Sequence, residues 1–356
     1  MLRPEESWEL LEKRIFEEEH CPNELKDVGE KIAQKCDGLP LTVIYDKYIH
    51  SADSSFFSPE KRNPCAKHLL SLKIQFGYYL YNWHLIHLRL LKRLDVLGIT
   101  LSEPSLVLSP TIWSLAKLRH VDIANCLVFD SDIDKLAKLE NLKSLMFLEL
   151  SCSVDSRDIF KKFPNLRNLD FRMDCSAAEQ MYFPRLDVLN KLERVYALFD
   201  CSGHLTHVHQ FDFHFPLSLK EVELIGFNLS SDELSGIGRS LPNLQKLELW
   251  NASIEGGKEW NMEQVTFRNL KSLILFKVFF SEWQVIADES FPVLEELYIQ
   301  FCSELIEIPE SFEDIASLKS IVVWGWRQLK ESAIKIKKYV EEMTGEDKLE
   351  VELGSA

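Results

Sequence analysis

Leu241-Pro242-Asn243-Leu244-Gln245-Lys246-Leu247-Glu248-Leu249-Trp250 carries the pattern on which the reading of the whole chain turns. Leu244, Leu247 and Leu249 follow a Leu-x-x-Leu-x-Leu spacing. The second half alternates with period two, which predicts a short strand whose aliphatic side chains all face inward. Pro242 cannot continue a hydrogen-bonded segment, so it ends the preceding stretch and extends the chain into the strand. Phe163-Pro164-Asn165-Leu166 and Phe291-Pro292-Val293-Leu294 open two further strands in the same way.

Working outward, the spacing recurs with other aliphatics admitted. Upstream it reads Leu69/Leu72/Ile74, Leu91/Leu94/Val96, Leu118/Val121/Ile123, Leu145/Leu148/Leu150, Leu166/Leu169/Phe171, Leu192/Val195/Ala197 and Leu219/Val222/Leu224. Downstream it continues as Leu270/Leu273/Leu275, Leu294/Leu297/Ile299 and Leu318/Ile321/Val323. First positions advance by 22 to 27 residues, except for one step of 21 between Leu145 and Leu166. This period belongs to leucine-rich repeats. The expected fold is an α/β solenoid, a leucine-rich-repeat horseshoe with a parallel concave sheet, preceded by a short helical segment. No unit can bury its core alone, so stacking supplies the stability. The asparagine expected eight residues after the first leucine gives way to Cys126, Ala252, Val278 and Cys302, which predicts an irregular ladder.

Residues 1–44 are patterned differently. Trp8, Leu11 and Ile15 fall on one face of an expected helix, and Leu25, Val28, Ile32 and Ala33 on one face of a second, which Gly38 is placed to stop. Residues 45–66, rich in Ser, Pro and Asn from Ser51 to Pro64, are expected to be a linker, and 67–329 to hold about eleven repeats. Residues 330–356 are expected to form a helix, with Ala333, Ile336 and Val340 on one face, and a strand, Leu349 to Leu353, that together cap the last repeat.

The front segment carries a resemblance. Glu6-Ser7-Trp8-Glu9-Leu10-Leu11, then Cys21-Pro22-x-x-Leu25 and Gly38-Leu39-Pro40-Leu41, closely resemble the helical subdomain of plant nucleotide-binding leucine-rich-repeat disease-resistance proteins (NB-ARC proteins). Glu307-Ile308-Pro309-Glu310-Ser311-Phe312 also resembles the last repeats of the late-blight-resistance type. In that family the Gly-Leu-Pro-Leu proline packs against the base of ADP, so the resemblance implies cofactor contact at Gly38, Leu39, Pro40 and Leu41. The family's Gly-x-x-x-x-Gly-Lys-[Ser/Thr] phosphate loop and its acidic Walker B strand are absent here. Without that loop's amides and lysine little holds a nucleotide's phosphates. We therefore expect a truncated member that retains the sensing repeats and has no cofactor. The resemblance implies protein partners: a pathogen effector, a guarded host protein or a full-length receptor.

Bulk properties narrow the partners further. Against 41 Lys and Arg stand 56 Asp and Glu, a net charge of -15, which disfavours nucleic acid and anionic lipid as general partners. No run of about 18 apolar residues exists to span a membrane. The eight cysteines are scattered, and the N-terminal stretch lacks the apolar core of a signal peptide, so a cytoplasmic setting is expected. Cys201, His204, His207, His209, Asp212 and His214 bunch in a density that could ligate zinc. Their spacing matches no common zinc framework, however, and the stretch reads as a solvated connector. No nucleophile elbow, paired-acid motif or dinucleotide fingerprint emerges, so an enzyme is not expected.

If the strands stack in register, their solvent-facing residues form columns. One runs Asp95, Asp122, Glu149, Asp170, Tyr196, Glu223, Glu248, Ile274, Tyr298, Val322 and begins with four acids. The next includes Trp250, Phe276 and Trp324, which with Tyr298 form an aromatic group. Stacked carboxylates repel one another and exposed aromatics gain nothing from water, so both suggest interface chemistry. The expected zones are an acidic one for a basic partner and an aromatic one for a second protein. A general repeat scaffold without an immune role is the competing expectation.

Overall fold

In a computed structural model, the description covers residues 91–97, 114–124, 138–151, 157–174, 182–200, 211–255, 259–262 and 265–354, with shorter pieces at 48–49, 71–76, 106–107 and 126–127. Near the N-terminus it covers Trp8, Glu9, Glu12, Lys26, Asp27, Glu30 and Lys31, all of them helical as the front-segment periodicity predicts. The rest of the front segment, including Gly38, Leu39, Pro40 and Leu41, lies outside the described residues. The chain divides into two compact units, Met1–Leu148 and Glu149–Ala356.

In the first unit the strands are β1 (Tyr48–Ile49), β2 (Ser71–Phe76), β3 (Arg93–Leu97), β5 (His120–Ala124) and the start of β7 (Ser144–Ser151). Each runs parallel to the next. A separate two-stranded ladder joins β4 (Leu106–Val107) to β6 (Cys126–Leu127). Leu91, Leu94, Leu115, Leu118, Val121, Leu142 and Leu145 are all at or near zero exposure.

Two expectations change here. Tyr48–Ile49 falls inside the stretch read as linker, yet it pairs with β2 through Tyr48 opposite Gln75 and Ile49 opposite Phe76. Ser- and Pro-rich composition around it hid a short run of strand-forming residues. The register of β7 also differs: Leu145 pairs with Val121 and Met146 with Asp122. Buried Leu142 is therefore the first position of that repeat, and Leu145 the second. The stretch from Leu142 to Leu150 satisfies the spacing twice, with Leu148 and Leu150 buried as well, and the pairing with Val121 puts the start of β7 in the earlier frame, 24 residues after Leu118. Met146, rather than Glu149, is therefore the residue opposite Asp122.

The second unit is a regular coil of repeats. Its strands β8 (Asn168–Asp174), β9 (Arg194–Asp200), β10 (Glu221–Ile225), β12 (Lys246–Trp250), β15 (Ser272–Phe276), β17 (Glu296–Gln300), β18 (Ser320–Trp324) and β19 (Glu350–Gly354) pair in parallel in that order. One carbonyl per repeat accepts two N–H groups of the following repeat. Lys220 O, for example, receives Gln245 N at 2.7 Å and Lys246 N at 3.0 Å. Inward residues form continuous columns, such as Leu169-Val195-Val222-Leu247-Leu273-Leu297-Ile321, each 0–1% exposed. Burying one such aliphatic side chain is worth about 1.5–3 kcal/mol.

Opposite the strands, aromatics fill the interior. Phe183 meets Phe171, Phe213 and Phe215 edge-on, with centroids 4.6–5.7 Å apart. Further along, Trp260 and Trp283 stack at 5.2 Å and nearly parallel. The connectors add short ladders, β11 (Asn228–Ser230) with β13 (Ser253–Glu255) and β14 (Glu259–Asn261) with β16 (Glu282–Gln284). Helix Ser231–Ser240 starts in a capping box: Ser230 Oγ accepts from Glu233 N, and the Glu233 carboxylate accepts from Ser230 N. The same carboxylate accepts from the Phe211 backbone N–H, tying the helix to the preceding repeat.

The asparagine ladder has moved rather than vanished. It occupies the position just before the first leucine, where Asn141, Asn243 and Asn269 donate to the carbonyls of Ala116, Leu217 and Pro242 at 2.6–2.9 Å. Ser218 and Ser317 do the same at 2.8 Å. At the usual position Cys302 is fully buried, its thiol set toward the Leu275 carbonyl at 3.6 Å and its pKa pushed up by burial to about 11.

The C-terminal end holds helix Arg327–Thr344, which buries Leu329, Ala333 and Ile336, and Gly345 ends it in the left-handed region (φ 71°). Strand β19 then pairs with β18, Val351 beside Ile321 and Leu353 beside Val323.

Candidate functional site

Strand geometry sends alternate residues to the open face of the sheet. In the second unit the pairing registers confirm the expected columns residue by residue. One is Asp170-Tyr196-Glu223-Glu248-Ile274-Tyr298-Val322-Glu352, and the next is Arg172-Leu198-Ile225-Trp250-Phe276-Gln300-Trp324-Gly354. A third runs Asn168-Arg194-Glu221-Lys246-Ser272-Glu296-Ser320-Glu350. Seven acids (Asp170, Glu221, Glu223, Glu248, Glu296, Glu350, Glu352) face three cations (Arg172, Arg194, Lys246) over these columns, so the face is net negative.

The acids are not equivalent. Glu248 is 9% exposed and fully engaged, accepting from Lys246 Nζ at 2.7 Å and from the Trp250 indole at 3.2 Å. Neighbouring Glu223 is half-buried, with Arg194 no nearer than 3.9 Å. Burial, and then the charge of Glu248, hold the Glu223 pKa above the usual carboxylate range. Beside it Tyr196 is raised as well, by burial and by Glu223 and Asp170. Asp170 is buried, 6% exposed.

The first unit treats its acids differently. Asp95 pairs with Arg93 at 2.9 Å, and Asp122 stands in register between Asp95 and Met146. The four leading acids of the expected column are thus split between the two units, Asp95 and Asp122 in the first and Glu149 and Asp170 in the second.

The aromatic residues come together more tightly than the spacing predicts. Trp250 and Phe276 lie on adjacent strands with ring centroids 4.5 Å apart. Phe301 meets Phe276 edge-on at 5.4 Å and Trp324 edge-on at 6.0 Å, completing a chain of four rings. Tyr298 stands in the other column, and Gln300 holds the place between Phe276 and Trp324. Phe301 escaped the column reading because it lies one residue past its strand. Gly226, Asn251, Lys277 and Phe301 each follow a strand directly, and all four have positive φ (77°, 48°, 51°, 58°), a turn that only Gly226 and Asn251 mark in the sequence.

This turn lets each N–H reach the next repeat, as Phe301 N does to Trp324 O at 2.7 Å. Glycine and asparagine take that conformation readily, whereas lysine and phenylalanine do so at a cost of about 1–2 kcal/mol. What the two costly residues add is surface chemistry. Lys277 holds its ammonium 5.5 Å from the centre of the Phe276 ring, and Phe301 joins the rings on either side of it.

At the opposite ends of the strands runs a ladder of charges. Arg167 and Lys220 flank Glu193 at 3.0 and 3.7 Å, and Lys271 and Lys319 flank Glu295 at 3.0 and 2.5 Å. The two lysines hold the Glu295 pKa below the usual range.

Of the expected histidine and cysteine cluster, Cys201 to His209 lie outside the described residues. His214 meets Asp212 at 2.8 Å, and no group of three metal-ligating side chains occurs among the described residues. No described helix is long and apolar enough to cross a membrane.

No protein-family model matches the chain. Among curated proteins it is similar to late blight resistance protein homolog R1B-13 of Solanum demissum, at 28% identity over 98% of this chain. It is also similar to late blight resistance protein R1-A of the same plant, at 33% over 74% of this chain. The chain spans 37% of the former and 20% of the latter. The alignment with R1B-13 is longer than the chain, so that relative carries segments with no counterpart here. Among solved structures a leucine-rich-repeat protein of Leptospira interrogans is similar at 17% identity, covering 81% of this chain and 73% of that one with a TM-score of 0.47. An internalin of Listeria monocytogenes follows at 13%, covering 82% and 88% with a TM-score of 0.39.

Proposed function

We propose that this chain, a homologue of the plant late blight resistance proteins, serves defence as a recognition module rather than as an enzyme. Its ligand is a protein: a pathogen effector, the host protein that an effector targets, or a full-length receptor of its own kind. The observation that carries this reading is the chain of four rings, Trp250, Phe276 and Trp324 from the sheet face and Phe301 from the turn that follows its strand. Aromatic anchors of this kind are frequent energetic centres of interfaces. Two of the turns that support them are kept in a conformation that costs stability, and strain held at a surface points to use.

Nucleotide chemistry stays outside this function in our reading. Gly38 to Leu41 match a family motif that contacts the base, but the phosphate loop that supplies most of the grip is missing from the sequence. Titration with fluorescently labelled ADP should show no binding at micromolar concentration, and saturable binding would overturn this part. The setting proposed is the cytoplasm.

The recognition reading is tested in tissue of Solanum demissum, the plant of its relatives, expressing the chain and challenged with a late blight pathogen. Cross-linked partners of the wild-type chain are compared with those of a Trp250→Ala, Trp324→Ala double variant of equal thermal stability. Loss of one reproducible defence-linked partner supports the reading, and identical partner sets reject it. A general scaffold would keep its partners without challenge, whereas an immune sensor gains one upon it.

A further inference from the structure

We propose that the open face of β10, β12 and β15 takes an arginine-bearing extended segment of the partner protein, one guanidinium lying across Trp250 and Phe276 and reaching the Glu223 carboxylate. The inference rests on the recognition reading above and adds the chemistry of the ligand. Charge complementarity is its first ground, because the face is net negative over its three columns. Within that face Glu248 is committed to Lys246 and to the Trp250 indole, so it orients the tryptophan. Glu223, beside it in register, has only the looser contact with Arg194 at 3.9 Å.

Glu223 and Trp250 are diagonal neighbours on paired parallel strands, which strand spacing and rise set about 8 Å apart. One long cationic side chain can therefore lie on the ring and end at the carboxylate. The Phe276 ring face already has a cation near it, Lys277 Nζ at 5.5 Å, a contact that an incoming guanidinium would share or displace. Arginine fits better than lysine, since its planar group stacks on rings, is less strongly hydrated and pairs with a carboxylate through two donors. Burial and the charge of Glu248 hold the Glu223 pKa up, so a guanidinium arriving there would stabilise its charged form.

The test is calorimetric titration of the full chain with three synthetic octapeptides, alternating Arg-Leu, Lys-Leu and Glu-Leu. The Arg-Leu peptide should bind in the micromolar range, the Lys-Leu peptide about five to ten times more weakly, and the Glu-Leu peptide not measurably. Glu223→Gln and Trp250→Leu should each weaken the Arg-Leu peptide about tenfold, with melting temperatures showing that both variants fold. Equal binding of the Arg-Leu and Lys-Leu peptides, or no effect of Glu223→Gln, overturns the guanidinium assignment. Should the peptides fail while the double tryptophan variant still loses its partner in tissue, recognition stands and only the ligand chemistry falls. Failure in both assays removes both.

Discussion

The two ends of the strands in the second unit solve different problems with the same repeat. At the N-terminal ends, Arg167, Glu193 and Lys220 and then Lys271, Glu295 and Lys319 form charge triads that cross from repeat to repeat. These side chains are largely solvated, and exposed pairs of this kind contribute little individually. At the C-terminal ends, Trp250, Phe276, Phe301 and Trp324 form a half-buried ring chain whose turns include strained Lys277 and Phe301. One rim keeps the register with inexpensive contacts, while the other accepts a stability cost to display rings. The contrast teaches that, within a repeat, departure from the economical residue is the better guide to function.

The strongest way to break that contrast is binding. Trp250→Ala with Trp324→Ala should weaken a partner about a hundredfold, whereas Lys271→Ala with Lys319→Ala should change it less than about threefold, both measured by calorimetry with the identified partner. Comparable losses from the two pairs would erase the distinction between the rims.

Stability at the left-handed turns comes next. A Cβ on Gly226 would sit 2.4 Å from the Phe199 carbonyl oxygen, and φ there is 77°. Gly226→Ala should therefore destabilise by about 2 kcal/mol or more in urea unfolding. At the equivalent turn Lys277→Gly should instead stabilise by up to about 1 kcal/mol while weakening recognition. A Lys277→Gly variant less stable than wild type would show that this turn carries no strain.

The smallest effects are electrostatic and opposite in sign. Glu295 has a depressed folded pKa, so its stabilising contribution is present above the ordinary glutamate pKa and is lost as pH falls through the folded value. Glu295→Gln should thus be slightly less stable than wild type at pH 7 and equal to it in strong acid. Glu223 has a raised folded pKa, so its favourable contribution is present below the ordinary value and is lost as pH rises through the folded one. Glu223→Gln should be slightly more stable than wild type at pH 7. Denaturation of both variants at pH 3 and pH 7 checks the pair, and like signs at pH 7 would contradict the contrast.

Much of this was legible before any coordinates. The Leu244/Leu247/Leu249 spacing determines which residues face inward, so from Asp170 to Val322 the outward columns follow by counting alone. Counting failed where the apolar run is redundant: Leu142 to Leu150 admits two frames, and only stacking against Val121 selects between them. It also failed for residues outside the strands. Phe301 and Lys277 act from turns, where period two no longer applies, and Asn141, Asn243 and Asn269 lie one residue before the first leucine, also outside the alternating strand.

The charge triads have a consequence for how such an array can change over generations. Tandem units are prone to gain or lose a whole copy, and a clean loss preserves every inward column. Removing the repeat that bears Glu295 would bring Lys271 against Lys319, and removing the one that bears Gln245 would bring Lys220 against Lys271. Either deletion sets like charges side by side along the rim. The order of repeats is thus reflected in the alternation of charge along this rim.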